Sequence, residues 1–333
     1  MIKNIRCKFF VLLIVVMGLA FGSTVLAETE NIILESSVQN VQLPVEMLPT
    51  FTANLVLPTI EQAEAMFDLG GGVRETLHNM TRVSSGERKM SYFPSGYVIY
   101  ERENISDMSE LINCDLYAAS EFDGSWLKDG GQEAAFMSRD DAQKLIEEYL
   151  KQYGLTGWDN NIALYYIGMD DWRWAIDYYA DEGSKDVSIK DCKEIYYAVI
   201  TLSYDGINFD DREYMLLNER NVFASAVYMM IDENGILDAE FFDCYGANEI
   251  SQDKPLLEYD EAVDVLDGYY DGMYINRKIS VCEAKFIYTA YPLSKTEYEI
   301  VPTWRFGIRG FAEGADYIRE YVRIDATNGR ILE

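Results

Sequence analysis

The chain has 333 residues, of which 57 are acidic and 28 are basic, giving a formal net charge of −29. A hydrophobic content of 49% with 25 tyrosines excludes an intrinsically disordered chain. The negative charge disfavours nucleic acid and anionic lipid as partners, because both repel an acidic surface.

The first 27 residues are predicted to be a secretion signal. Lys3, Arg6 and Lys8 precede an apolar run over 9–21, and Ala27 ends a cleavage motif. Loss of these three cations would lower the basic count from 28 to 25 and take the net charge from −29 to −32. The run is short for a membrane span, so an uncleaved anchor is the less favoured alternative. We therefore expect export to the cell envelope or the medium without stable membrane insertion, by a signal typical of Gram-positive bacteria.

Residues 28–136 are predicted to form a β-rich N-terminal region. Within it, Thr59-Ile-Glu-Gln62 has the pattern of a capping box that opens a short helix, which Gly70-Gly71-Gly72 ends. Strands are predicted at 97–100 and 115–118. The role of this region is left open.

Residues 137–250 are predicted to form a first module. Ser138 resembles a helix cap, and Gly154 is a stop. Apolar residues between them recur at helical spacing: Ala142, Leu145, Ile146, Tyr149 and Tyr153. Strands are predicted at 162–167, 172–179 and 195–204, followed by a hairpin that contains Tyr228 and turns at Asn234-Gly235.

Residues 251–333 are predicted to form a second module of the same plan. The helical stripe consists of Ala262, Val265, Leu266, Tyr269 and Met273. Strands follow at 279–291, 298–310 and 317–324, and a second hairpin turns at Asn328-Gly329. Alternation in these strands predicts a sheet with one face on the helix and one face in water. The fold class is therefore α+β, with two tandem modules of one helix on a small antiparallel sheet.

The two hairpins are near copies of each other, since Ile231-Asp232-Glu-Asn-Gly235 is echoed by Ile324-Asp325-Ala-Thr-Asn-Gly329. With the helix that opens at Leu257 and the strand Ile300-Val-Pro-Thr-Trp304-Arg-Phe306, the second copy resembles a PepSY-type domain. The tandem arrangement is similar to that of the YycH/YycI-type regulatory proteins of Gram-positive bacteria. This resemblance implies extracytoplasmic protein binding, either to secreted peptidases or to the outer part of a sensor kinase.

Catalytic chemistry finds little support in the motifs. His78 is the single histidine of the chain, which excludes a multi-histidine zinc site, and no nucleophile elbow or phosphate-binding loop is present. Asp170-Asp171 beside Trp172 and Trp174 keeps open a carboxylate-dependent hydrolase acting on cell-wall glycan. The acidic loop 205–213 keeps open a calcium-dependent wall protein, although it lacks EF-hand spacing. We expect no catalytic residue, no metal ligand and no cofactor.

The cysteines leave the disulfide state open. After removal of the signal four remain, and they permit three pairings: Cys114, Cys192, Cys244 and Cys282. A buried free thiol is an equal alternative for Cys282, which shares a predicted strand face with Ala284 and Phe286.

The tyrosine-rich strands favour a non-enzymatic protein that binds another extracytoplasmic protein. Pairs such as Tyr165-Tyr166 and Tyr196-Tyr197 put one ring on each face of an extended strand, so that some rings are buried and others are either covered or exposed. We expect contact through an aromatic sheet face or an open strand edge. The predicted binding residues are Tyr298, Trp304, Arg305 and Arg309, with Trp304 in the core and the two arginines on the opposite side of the strand.

Overall fold

The fold is α+β. The computed structural model describes residues 27–28, 31–39, 41–94, 97–103, 105, 108–109, 111–112, 131–180, 188–210, 215–217, 220–222, 226–271, 278–309 and 318–333. Strands predominate over helices in this part of the chain. Residues 1–26 of the predicted signal lie outside it. None of the helices within these ranges combines the length and apolarity that crossing a membrane requires.

The helices and strands are numbered along the chain. The α-helices are α1 (Ile60–Met66), α2 (Arg139–Tyr153), α3 (Met169–Ala180) and α4 (Tyr259–Asp271). The strands up to the second helix are β1 (Ala27–Glu28), β2 (Ile32–Leu34), β3 (Met47–Leu48), β4 (Phe51–Leu55), β5 (Val73–Leu77), β6 (Met80–Ser85), β7 (Arg88–Phe93) and β8 (Tyr97–Glu101). Those that follow are β9 (Asp159–Ile167), β10 (Ile195–Tyr204), β11 (Ile207–Asn208), β12 (Met215–Leu217), β13 (Arg220–Val222), β14 (Ala226–Asp232), β15 (Gly235–Phe242), β16 (Tyr245–Ile250), β17 (Lys254–Pro255), β18 (Ile279–Pro292), β19 (Glu297–Arg309) and β20 (Ile318–Asp325).

The chain divides into two compact units that are not consecutive in sequence. The first comprises Met1–Leu43, Glu258–Lys285 and Arg305–Val322, and the second comprises Pro44–Leu257, Phe286–Trp304 and Arg323–Glu333. Strands β18, β19 and β20 each have residues in both units. The boundaries of the units therefore differ from the predicted divisions at 137 and 251.

In the first unit, β2 lies parallel to the beginning of β18, with Ile32 opposite Ile279. The Asp267 carboxylate of α4 accepts a hydrogen bond of 2.9 Å from the Asn31 N–H. The Tyr259 hydroxyl, at the start of the same helix, donates to the Val38 carbonyl. These bonds fix α4 beside the β2 segment.

The second unit contains a nine-stranded sheet, in the order β11-β10-β14-β15-β8-β7-β6-β5 with β9 paired to β10. The joint between β15 and β8 pairs 238–241 with 98–101 in antiparallel register. Strands β5–β8 therefore extend the sheet of the predicted first module. Four strands of the predicted β-rich N-terminal region thus belong to the same sheet as the strands of the first module.

Most of the local predictions are confirmed by the helix ends and strand bounds. The Thr59 side chain and Gln62 form a reciprocal capping box at α1. The Ser138 hydroxyl caps α2 by accepting from the Asp141 N–H, and Gly154 ends the helix at a φ of 102°. Such a left-handed position favours glycine, because a Cβ would strain it. Strand β10 and the hairpin β14–β15 also lie where they were predicted.

The strand predicted at 172–179 is instead helix α3. Trp172 and Ala175 are buried three residues apart, whereas Trp174 is 47% exposed, which is a helical and not an alternating period. The Asp171 carboxylate accepts a 2.8 Å hydrogen bond from the Gly168 N–H at the helix start. Aromatic residues favour strands in general, but here the capping aspartate and the spacing of the buried residues decide.

The two faces of the nine-stranded sheet differ in burial. The inner face is buried against α1 and α2, where Tyr153 stacks on Phe241 at 4.1 Å and Phe67 stacks on Tyr100 at 4.2 Å. On the outer face, side chains such as Ile99 are half-buried. The expected water-facing side fails on β19, where Thr303 and Arg305 are as buried as Trp304 and Phe306 on the other side.

Candidate protein-binding face

An aromatic row crosses the outer face of the nine-stranded sheet, with one ring from each of six strands. Consecutive ring centroids lie 6.5, 6.4, 6.1, 5.5 and 5.8 Å apart along the row. In order from β9 through β10, β14, β15 and β8 to β7, the row consists of Tyr165, Tyr197, Tyr228, Phe242, Tyr97 and Phe93.

The aromatic row is partly covered, because Tyr165 and Tyr228 pack against a buried apolar cluster of the same unit. Tyr197 is buried beside the apolar cluster that includes Met108 and Trp172, and the other five rings are half-buried. The inner-face neighbours of the row, such as Tyr196 and Val98, are buried. Aromatic side chains are enriched in the buried cores of protein–protein contact sites, and this row has a similar composition.

An acidic trio, composed of Glu101, Asp238 and Glu240, lies beside the row. Glu101 is the direct cross-strand partner of Asp238, and Glu240 follows Asp238 by two residues on β15. Residues so related project from one face of a sheet. Glu240 in turn lies opposite Tyr228 on β14, which joins the trio to the aromatic row. The nearest cation by register is Lys89, the partner of Glu101 on β7.

Asp238 is 2% exposed, and its carboxyl has no hydrogen bond or ion pair with any residue that the structure describes. A register shift places it there, because Met230 pairs with Asp238 while Ile231 pairs with Ile236, so that Leu237 has no partner. Burial, together with the negative charges of Glu240 and Glu101, raises the pKa of Asp238 well above its usual range. A buried acid without a partner is costly and is therefore a candidate for function.

A second charged cluster shows the opposite arrangement. The Asp232 carboxylate accepts hydrogen bonds from Arg102, from Lys193 at 3.4 Å and from the Asn234 N–H at 2.7 Å. Burial acts to raise the pKa of Asp232, but these hydrogen bonds and charges outweigh it, and the pKa is lowered. Asp232 is thus structural, since it also bonds its own turn. A cavity of about 400 Å³ adjoins this cluster and is lined in part by Phe136 and Met169.

The structure does not bring the four predicted binding residues together on a surface. Tyr298 and Trp304 are buried in the second unit, where the Trp304 Nε1–H donates to the Leu257 carbonyl at 3.0 Å. The core position predicted for Trp304 is confirmed. Arg305, expected to face outward, is 0% exposed, because its guanidinium pairs with Glu283 at 2.9 Å and lies over the Tyr321 ring. Arg309 is half-buried and lies 3.5 Å from the Glu35 carboxylate, and its binding role stays a prediction.

The paired carboxylates considered for glycan hydrolysis are engaged locally. Asp170 pairs with Arg173 at 2.5 Å on the exposed side of α3, and Asp171 caps the helix. The Trp172 Nε1–H donates to the Lys193 carbonyl at 2.7 Å from within the core. This pair therefore contributes to helix structure.

The acidic loop considered for calcium begins at a buried ion pair. The Asp210 carboxylate binds the Arg323 guanidinium at 2.6 Å, which neutralises the charge that a cation would need. Residues 211–214 of this loop lie outside the described residues. Across the described ranges, no group of three or more histidine, cysteine or carboxylate side chains is arranged to hold a metal ion. His78 is exposed in the turn between β5 and β6.

Two of the cysteines are thiols. Cys244 is buried and its Sγ lies 3.5 Å from the Phe242 carbonyl, and the Cys282 Sγ lies 3.5 Å from that of Gly307. The free-thiol alternative for Cys282 therefore holds in this structure. Cys192 is buried, and Cys114 lies outside the described residues.

Tyrosine pairs behave as predicted only where they are extended. Tyr196-Tyr197 puts one ring on each face of β10, and both rings are buried. Tyr269-Tyr270 lies on α4, so its two rings do not mark the two sides of a strand. The tyrosine pairs in the sequence therefore identified two members of the aromatic row, Tyr165 and Tyr197.

Comparison with known proteins identifies a likeness of fold alone. No family model matches the chain, and no curated protein matches it. The structure is similar to the crystal structure of an uncharacterized protein from Eubacterium rectale, with a TM-score of 0.53 and 15% sequence identity over 92% of each chain.

Proposed function

We propose that the chain is a non-enzymatic binding protein of the cell envelope, which holds another extracytoplasmic protein against the outer face of the nine-stranded sheet. The observation that carries the proposal is the aromatic row of six rings, because rows of half-buried tyrosines supply contact area at low entropic cost. The predicted signal sequence places this role outside the cytoplasm.

Two matching contacts support kinship of the two predicted modules, and with it the PepSY and YycI likeness. The Tyr196 hydroxyl of β10 donates to the Met137 carbonyl at 3.0 Å, two residues before α2 begins. The Trp304 Nε1–H of β19 donates to the Leu257 carbonyl at 3.0 Å, two residues before α4 begins. In each case a buried aromatic residue of a long strand holds the entry of the preceding helix. We therefore propose a duplicated module whose second copy retains the docking role implied by the likeness.

A pull-down from the native culture medium and envelope, followed by mass spectrometry, tests the proposal. The wild-type chain is compared with Tyr228→Ser, which removes a half-buried ring near the centre of the aromatic row. The matched control is Val73→Ser on the far edge strand β5, where Val73 is 75% exposed. We expect one partner to be recovered with wild type and control and lost with Tyr228→Ser.

A partner recovered equally with all three chains would contradict docking on this face. Release of soluble fragments from cell walls by the wild type, but not by Asp238→Asn, would instead favour the carboxylate-dependent hydrolase.

A further inference from the structure

We propose that Asn234 is a site of spontaneous deamidation in the folded chain, and that the matching Asn328 is protected from it. The proposal goes beyond the proposed binding function and does not depend on it. It follows from two Asn-Gly turns that have the same dipeptide but hold the asparagine side chain differently.

Deamidation at an Asn-Gly pair starts when the backbone nitrogen of the glycine attacks Cγ of the asparagine. A bond forms between this nitrogen and Cγ, the Cγ–Nδ2 bond breaks, and ammonia leaves with the proton of the glycine N–H. Water then opens the succinimide ring at either of its two carbonyls, which gives aspartate or isoaspartate. Glycine favours the attack because it has no Cβ to crowd the nitrogen.

The two Asn-Gly turns are alike in the properties that the dipeptide itself sets. Asn234 and Asn328 are both exposed. The glycine that follows has a positive φ in each turn, 98° at Gly235 and 76° at Gly329. Access of water and crowding at the glycine therefore do not distinguish the two sites.

The Asn328 side chain is held at both ends of its amide. Its Nδ2 donates to the Asp325 carboxylate at 2.8 Å, and its Oδ1 accepts from the Arg330 N–H at 2.8 Å. The Asp325 carboxylate is buried and also accepts from the Thr327 N–H and hydroxyl. The Asn328 amide therefore cannot turn toward the Gly329 nitrogen without breaking these bonds.

The Asn234 side chain has no hydrogen bond with any residue in the described part of the chain. Only its backbone N–H is held, by the Asp232 carboxylate at 2.7 Å. That carboxylate binds Arg102 and Lys193 as well, whereas the equivalent Asp325 binds the asparagine amide. The Asn234 amide is therefore free to rotate toward the Gly235 nitrogen.

Deamidation at Asn234 changes both charge and backbone at this turn. It adds a carboxylate next to the cavity of about 400 Å³, whose lining includes Asp232 and Glu233. The isoaspartate product also lengthens the main chain by one methylene group between β14 and β15. The reaction therefore affects the hairpin at the centre of the nine-stranded sheet.

Timed incubation of the full chain at mildly alkaline pH, followed by peptide mass spectrometry, tests the proposal. Circular dichroism confirms that the chain stays folded throughout. We expect Asn234 to convert at least about tenfold faster than Asn328, because the Asn328 amide must first lose two good hydrogen bonds. In urea, where neither turn is formed, we expect the two sites to convert at similar rates.

Asn234→Gln is the matched control, because the longer glutamine side chain forms the required ring much more slowly. This variant is expected to gain no carboxylate at position 234 and to keep the slow conversion of Asn328. Equal rates at the two sites of the folded wild type, or faster conversion of Asn328, would overturn the proposal. It would also be overturned if the folded chain protected Asn234 completely, or if the preference for Asn234 persisted unchanged in urea.

Discussion

Asp210 and Asp238 are both buried in the second unit, at 3% and 2% exposure, yet their surroundings are opposite. The Asp210 carboxylate meets the Arg323 guanidinium at 2.6 Å, whereas Asp238 meets the negative charges of Glu101 and Glu240. The Asp210–Arg323 ion pair joins the segment that follows β11 to β20 and needs no ligand. The second arrangement leaves the Asp238 carboxyl without a cation partner among the described residues. A buried carboxylate that is paired with a cation stabilises the fold. A buried carboxyl among other carboxyls does not, and it is therefore a candidate for a functional role.

The largest expected effect on stability comes from breaking the buried ion pair between Asp210 and Arg323. Arg323→Met leaves Asp210 buried without its cation, and we expect the free energy of unfolding to fall by about 3–5 kcal/mol. Urea denaturation followed by circular dichroism measures it. The matched control is Arg88→Met, because Arg88 pairs with the exposed Asp68 and such surface pairs contribute about 0–1 kcal/mol. Equal decreases in the free energy of unfolding for the two variants would show that the buried pair stabilises the protein no more than the surface pair does.

Substitution of Asp238 is expected to raise the free energy of unfolding, whereas substitution of Arg323 lowers it. Asp238→Asn replaces the buried carboxyl with a neutral amide that need not hold a proton, and we expect a gain of about 0.5–2 kcal/mol near neutral pH, the range common for stabilising substitutions. The folded-state pKa of Asp238 is raised, so the folded protein holds its proton longer than the unfolded chain. The wild type therefore loses stability as pH rises above the unfolded-state value of about 3.9, and the advantage of the variant vanishes below it. Urea denaturation of both chains across this range checks the sign, and Asp210→Asn, which should lose stability, is the matched control.

The smallest effect is expected at the doubly paired carboxylate. Lys193→Met leaves Asp232 bonded to Arg102 and to the Asn234 N–H. Since Lys193 is also partly exposed, we expect the free energy of unfolding to fall by less than about 1 kcal/mol, and Arg102→Met to cost more. Thermal melts of both variants rank them, and a larger loss for Lys193 would show that Asp232 depends on it as Asp210 depends on Arg323.

The sequence was informative where structure is local. Caps at Thr59 and Ser138, the αL glycine at 154 and the Asn-Gly turn of the first hairpin each depend on residues within a few positions of each other, and all are present. The prediction at 172–179 was wrong because aromatic residues favour a strand in general, whereas here the Asp171 carboxylate caps a helix.

The site itself was beyond local patterns. Glu101 and Asp238 are 137 positions apart and meet only through the pairing of β8 with β15, which no periodicity reveals. The burial of Arg305 likewise follows from Glu283 and Tyr321, since alternation along β19 assigned it to the outside. Alternation places residues on a face but does not tell whether that face is covered.

The joint between β8 and β15 also sets the order in which this chain can fold. The hairpins β5–β8 are complete long before β15 is synthesised, so β8 presents a bare hydrogen-bonding edge through the intervening interval. Closing so long a loop is entropically slow, and an open edge of this kind invites pairing with other chains.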